Sequence, residues 1–283
     1  QQVQYAESLG PRTRKYQRLL EECAIDGLPL TPREPLFLFM PSVVAQTSVP
    51  TWSLSAIFGT GNPSKDRNRT YAGGFKTRQD SFTVALDEQT LRQRIAELKD
   101  DSINESYLRE KYGLCSTAHF EFDRARDAAQ SGALARSIRR VRYRPFDDRA
   151  MIWSREVLCE PQTEVTRHLL LPNLCLATSR VVKDDAFRHV TVARGPVEVI
   201  SLSTSTSTNA YMFPLYRYET DQLFGGGRSK ESKSANLSRQ FIAEMVKATG
   251  LKWDESCSGG DRPDFMTPEG IFFFLYSILH SPI

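Results

Sequence analysis

The chain has 283 residues, 40% of them hydrophobic and 25% charged, with a net charge of +3. That balance excludes a disordered chain and leaves one large soluble domain or two small ones, with enough apolar residues for a sizeable core. The five cysteines (Cys23, Cys115, Cys159, Cys175 and Cys257) form no C-x-x-C pair, which argues against a structural zinc and a disulfide framework and fits a reducing cytoplasm.

The N-terminus, QQVQYAES, has neither the basic nor the apolar part of a secretion signal. It lacks an initiator Met, and the chain stops abruptly after His280-Ser281-Pro282-Ile283, so a piece of a longer protein is expected. Residues 11–24 predict an amphipathic helix ended by Gly27 and Pro29. "PLFLFMP", 35–41, predicts a strand, and "SLSAIF", 53–58, one helical turn. "SFTVAL", 81–86, alternates like a strand. Residues 87–99 predict the clearest helix, capped by Asp87, with Leu91, Ile95 and Leu98 on one face. A helix at 103–112 ends at Gly113, and a third covers 121–138.

The pattern then changes to short β-type segments: "VRYRPF", "AMIWS", "LCLATSRVV", "HVTVA", "VEVISLST" and "YMFPLYRY", interrupted by a helix at 162–171. A hydrophilic loop is expected over 219–235. Two helices close the chain. One runs from the Ser238 cap to Gly250, and the other starts with a capping box from Thr267 and Pro268 at its first position. Its run Ile271–Tyr276 is too short to span a bilayer.

Charge is unevenly spread. Residues 61–80 hold Lys65, Arg67, Arg69, Lys76 and Arg78 against Asp66 and Asp80. Residues 124–149 hold eight arginines (124, 126, 136, 139, 140, 142, 144 and 149) against three aspartates. Arginine forks onto phosphates and guanine edges, whereas a solvated helix face accounts for the same charge without any ligand.

Catalytic patterns are weak. "FGTGNP", 58–63, neither follows an apolar strand nor opens a long helix, and Asn62-Pro63-Ser64-Lys65 lacks the aromatic of an adenine-methylating N-P-P-[YF] site. The four histidines form no metal-binding spacing; His168 and His280 sit among leucines and read as packed or capping residues. Asp184-Asp185 lacks the rest of a nuclease pattern. The serine-rich stretch 201–209 has no nucleophile elbow and reads as a strand entering a polar loop, where Thr204 is a candidate donor to phosphate.

"YAESLGPRTRKYQRLL", "PREPLFLFMP", "GFKTRQDSFTVALDEQTLRQRI", "VRYRPFDDR", "NLCLATSR", "FPLYRY", "ANLSRQFI" and "TPEGIFFFLYSILHSP" follow one another in an order that spans nearly the whole chain. This order resembles the C-terminal part of large adenine-specific DNA methyltransferases of the type ISP restriction–modification group. The most specific elements are Lys76-Thr77…Asp80, Tyr143-Arg144-Pro145-Phe146-Asp147 and the closing T-P-E…L-H-S-P.

The resemblance implies a DNA-specificity module that follows a methyltransferase domain. The family's N-P-P-[YF] motif and S-adenosylmethionine loop lie upstream and are not in this sequence, so no cofactor is expected in this piece. It further implies that Gly73-Gly74 form a turn placing Lys76, Thr77, Arg78 and Asp80 at the mouth of a DNA cleft. Tyr143 and Phe146 are expected in the core. Arg144 is expected to pair with Asp147, leaving Arg149 as a phosphate contact. Ser179 and Arg180 are candidate base readers, with Lys183 and Asp184 at the rim; an Arg180 bridged to Asp184 or Asp185 is the structural alternative. The spacing of Arg136, Arg139 and Arg140 puts them on one helical face, and Arg139 and Arg140 are expected to contact phosphates.

The expected architecture is α+β. It has a twisted, mostly antiparallel sheet with loops toward DNA, braced by a helical segment and two C-terminal helices. Residues 1–86 link to a methyltransferase domain and contribute strands, 87–140 are helical, and 141–283 form the β-rich recognition core. The expected partners are double-stranded DNA and the upstream domain, in a bacterial cytoplasm and away from membranes. The alternative is a protein-docking domain whose basic helix binds an acidic partner.

Overall fold

The computed structural model describes residues 3–5, 11–21, 27–31, 52–59, 69–115, 120–181, 183, 189–206, 208–219, 232–256 and 263–281. The chain divides into two compact units, Gln1–Ser53 and Leu54–Ile283. In the first, β1 (Val3–Tyr5) pairs antiparallel with β2 (Leu28–Leu30), and α1 (Arg12–Glu21) lies between them in sequence. The predicted strand 35–41 lies outside the described residues.

The second unit begins with the expected helical turn, α2 (Leu54–Ile57), which buries Ile57 beside the fully buried Phe58. β3 (Ala72–Gly73) follows. The predicted strand 81–86 splits into the helical turn α3 (Asp80–Thr83) and the short strand β4 (Val84–Ala85). The cause is the Gln79 carbonyl, which accepts from the N–H groups of Phe82 and Thr83 and from the Thr83 hydroxyl. That turn points Phe82 into the core, edge-on to Tyr112 with ring centroids 5.4 Å apart.

α4 (Glu88–Lys99) is capped as expected, Asp87 accepting from Thr90 N–H at 2.8 Å, and buries Leu91, Ile95 and Leu98. α5 (Glu105–Tyr112) ends at the left-handed Gly113. The single helix predicted for 121–138 is instead α6 (Phe122–Gln130) and α7 (Ala133–Arg136). Gly132 takes φ +74° between them, and the chain is already extended at Ile138.

β5 (Ile138–Arg144) and β6 (Asp147–Ile152) form a hairpin, with β4 on the other side of β6, all antiparallel. Alternation along β6 serves two cores. Ala150 and Ile152 join the helical layer through Phe82, Leu91, Ile95, Leu108, Phe122 and Leu134. Met151 joins Phe75, Val84, Val141 and Leu158. The first of these cores draws residues from both sides of positions 86 and 140.

α8 (Thr163–Leu169) precedes β7 (Cys175–Ser179), β8 (Val190–Ala193) and β9 (Ala210–Pro214). With β3 these make an antiparallel sheet of order β3-β9-β7-β8, and α8 packs Val165 and Leu169 over Cys175, Ala177 and Met212. Residues 197–204, predicted as a strand, form turns with isolated bridges instead.

β10 (Tyr216–Glu219) pairs with β11 (Ser232–Ala235) at the two ends of the predicted hydrophilic loop, whose residues 220–231 lie outside the described set. α9 (Arg239–Thr249) has its Ser238 cap and ends at the left-handed Gly250. The parallel pair β12 (Lys252–Trp253) and β13 (Phe265–Met266) leads to α10 (Pro268–His280). Thr267 caps α10 by accepting from Gly270 N–H, but the predicted capping box is absent because Gly270 occupies the position that needs Glu or Gln. Glu269 instead accepts a hydrogen bond from the Tyr216 hydroxyl. The α+β expectation holds: helices and antiparallel sheets are combined, and among the described residues no sheet closes into a barrel.

Candidate nucleic-acid interface

The glycine pair at 73–74 makes neither a hairpin nor a phosphate loop. Gly73 sits in β3 opposite Tyr211, and Gly74 N–H donates to Ala210 O at 2.8 Å. A Cβ on Gly74 would lie 2.6 Å from the Val199 backbone, so this glycine lets two backbone segments approach closely. Phe75 N–H then donates to Val197 O, and Val199 N–H to Phe75 O, both at 3.0 Å. This seam brings the 76–80 segment beside residues 196–199.

The β5–β6 hairpin joins the same place. Arg142 N–H donates to Pro196 O, and Glu198 N–H to Arg142 O. The Tyr143 hydroxyl donates to Asp80 Oδ2 at 2.6 Å. Arg144 donates to Glu198 Oε2 at 2.7 Å, Arg142 to Asp148 Oδ1 at 2.5 Å and Arg149 to Asp147 Oδ2 at 2.8 Å. The expected Arg144–Asp147 pair is therefore replaced. The two residues are cross-strand neighbours, but each side chain finds another partner.

The guanidinium carbons of Arg144 and Arg149 stand 3.9 Å and 4.6 Å from the Tyr143 ring centroid. Burial first, and the Asp80 bond second, push the Tyr143 phenol up to about 12, so it remains a donor at neutral pH. Burial also raises the Glu198 carboxyl above its ordinary range, against the pull of Ile200 N–H and Arg144.

Lys76 bridges to Glu160 at 3.0 Å, and Thr77 is buried. Arg78 is exposed with φ +58°. Arg139 and Arg140 lie on strand β5, not on a helix with Arg136, and both are exposed. Arg139 donates to Arg136 O and Ile138 O, and Arg140 to Asp148 O. Arg149 is held by Asp147, whose hydrogen bond and charge raise its pKa further.

On the other sheet, Ser179 closes β7 and its hydroxyl bonds to the backbone of Val181. Arg180 is exposed with its guanidinium 5.4 Å from the Tyr211 ring, and Lys183 is exposed. Asp184 and Asp185 lie outside the described residues. Thr204 is exposed in a turn where Ser203, Thr206 and Thr208 chain their hydroxyls at 2.7 Å. Among the described residues, Arg78, Arg139, Arg140, Arg180 and Lys183 have no carboxylate partner.

Of the predicted residues, Asp80 and Arg149 meet at Tyr143, while Lys76, Thr77 and Arg78 lie on the segment that precedes Asp80, with Lys76 held by Glu160. Arg139 sits at the opposite end of β5, while Ser179, Arg180 and Lys183 belong to the β7 end. Sequence reasoning placed Phe146 in the core. It is 89% exposed at the hairpin apex, with φ +60°. Pro145, a residue favoured at the second position of a turn, is the sequence signal that could have flagged the apex.

A family model described as "Type ISP C-terminal specificity domain" matches residues 68–283. The chain belongs to this family. The matched span contains all of the residues placed above. Among solved structures, this specificity domain is similar to the DrdV–DNA complex determined by cryo-EM (TM-score 0.49, 17% identity, covering 75% of this chain and 19% of that one). It is also similar to the ATP-dependent Type ISP restriction–modification enzyme LlaBIII bound to DNA (0.44, 14%, 75% and 13%). A third likeness is a nuclease-deletion mutant of the Type ISP enzyme LlaGI in complex with a DNA substrate mimic (0.42, 15%, 85% and 23%). The specificity domain spans less than a quarter of each of these chains. No curated protein matches it. Among the described residues no helix is long and apolar enough to cross a membrane, and no cluster of His, Cys, Asp and Glu could hold a metal.

Proposed function

We propose that the chain recognises a target sequence in double-stranded DNA as the specificity module of an adenine-N6 methyltransferase of a restriction–modification system. The observation that carries this is the family match over 68–283, a specificity domain. The physical support is the set of exposed cations that have no carboxylate partner among the described residues, Arg78, Arg139, Arg140, Arg180 and Lys183, which phosphates can neutralise. Cations already paired, such as Arg142, Arg144 and Arg149, act as scaffold for the hairpin and keep its apex in register.

Base reading falls to loop and strand-end side chains. Arg180 is the first candidate because β7 anchors its backbone and the Tyr211 ring supports its guanidinium. Methyl transfer and S-adenosylmethionine binding are assigned to a domain upstream in the same polypeptide, with which the module works. The docking reading draws less support from the 124–149 arginine run, since the arginines at 139–144 lie on a strand and only Arg124, Arg126 and Arg136 are helical.

The test is competition. A labelled duplex bound to the 283-residue chain should be displaced by unlabelled duplex and far less by polyglutamate of equal charge. Equal displacement by the acidic polymer would favour docking.

A further inference from the structure

We propose that Phe146 is a wedge residue: when the hairpin meets duplex DNA, its ring stacks into a base step opened at the β5–β6 apex. The inference rests on the DNA-recognition reading above and adds a positioning residue to it.

The ring is 89% exposed and makes no aromatic pair among the described residues. Its backbone sits at φ +60°, where a bulky L residue is strained and glycine is not. A turn selected only for folding would carry glycine or asparagine there. Phenylalanine adds strain, buries almost nothing and exposes an aromatic face, so its use lies outside the fold.

The hairpin beside the apex is tied down: the guanidinium groups of Arg144 and Arg149 both lie against the Tyr143 ring, and these arginines pair with Glu198 and Asp147.

The surroundings decide the class of partner. An apolar protein surface fits a cluster such as Phe273, Phe274 and Ile278 on α10, each about half exposed. Phe146 stands alone, with Arg144 and Asp147 beside it in sequence and the exposed Arg140 further along the same hairpin. A single ring projecting from a basic two-stranded ribbon suits nucleic acid, where ribbons enter grooves and phenylalanine wedges unstack base steps. Pyrimidine–purine steps open most readily, so the wedge adds a preference for such a step at a fixed place in the site.

The experiment is selection from duplexes with a randomised centre, using the 283-residue chain as wild type, Phe146→Gly and Phe146→Trp. Wild type and Phe146→Trp should enrich one motif containing a pyrimidine–purine step, and the selected duplex should quench the fluorescence of the introduced indole. Phe146→Gly should keep the flanking preferences, lose that step and bind the selected site about 5- to 100-fold more weakly, the range expected for the loss of one stacked aromatic. Its thermal midpoint should equal or exceed that of wild type.

An unchanged motif and affinity in Phe146→Gly would overturn the wedge and leave a protein partner for the ring. A lowered thermal midpoint would overturn it by showing a folding role. If wild type enriches no duplex while remaining folded, the DNA reading itself fails and the wedge falls with it.

Discussion

The Tyr143 hydroxyl donates to Asp80 across 2.6 Å, joining two segments 63 residues apart in sequence. The bond fixes the turn carrying Arg78 to the arginine-rich hairpin. Tyr143→Phe should cost about 1 kcal/mol in urea unfolding, the usual net worth of one hydrogen bond. Asp80→Ala should cost a similar amount, and the double variant little more than either alone, because both remove the same interaction. Fully additive losses would show that the pair is not coupled.

Gly74 and Gly73 form a matched experiment. A Cβ at 74 meets the Val199 backbone at 2.6 Å, whereas one at 73 meets nothing within 4 Å. Gly74→Ala should destabilise by about 1–3 kcal/mol, as overpacking does, because backbone cannot yield as a side-chain tip can. Gly73→Ala should stay within about 0.5 kcal/mol of wild type. Chemical denaturation of the two variants side by side is the check.

Stability should fall on acidification through His168. The ring is buried, and its Nδ1 accepts from Tyr218 N–H at 3.0 Å, which requires the neutral form. Burial, aided by Arg167 and Arg217, lowers its pKa from 6.5 to about 4. A depressed folded pKa gives stability that is whole above pH 6.5 and lost as pH falls toward 4, up to about 3 kcal/mol. Glu198 acts with the opposite sign: its raised carboxyl favours the fold at low pH, a contribution lost as pH rises through its folded pKa. His168→Asn keeps an acceptor for Tyr218 and removes the titration, so its unfolding free energy should lack the histidine's loss between pH 6.5 and 4. An unchanged pH profile in that variant would refute the assignment.

Arg139 and Arg140 are exposed strand residues whose guanidinium groups, among the described residues, bond to backbone carbonyls. Replacing both with Ala should weaken binding to every duplex by a similar factor and flatten the salt slope by about 0.9 for each phosphate no longer neutralised. Fluorescence anisotropy on two unrelated duplexes measures both effects. Weakening on one duplex alone would reassign them to base reading.

Local signals were legible where one residue decides the outcome. Asp87, Gly113, Ser238 and Gly250 bound their helices as their chemistry predicts. The failures came where a backbone contact or break that the residue pattern does not show intervened, nearby or far along the chain. "SFTVAL" alternates like a strand, yet the Gln79 carbonyl winds its first half into a turn. The arginine run has helical spacing, yet the helix breaks at Gly132 and the chain is extended from Ile138. The Gly73-Gly74 pair looks like a turn because its partner, Val199, is 125 residues away and invisible to local pattern. At the candidate site, charge located the basic hairpin but could not assign partners. Arg144 reaches Glu198 rather than Asp147 through a contact that only the folded seam creates.

The most direct test of the account is the association constant of the 283-residue chain with duplex DNA, measured across a series of salt concentrations. If Arg78, Arg139, Arg140 and Lys183 meet phosphates, log K should fall linearly with log salt with a slope between about −2 and −4. A folded chain that fails to bind duplex at low salt, or binds with a slope near zero, would contradict the claim that this surface recognises DNA.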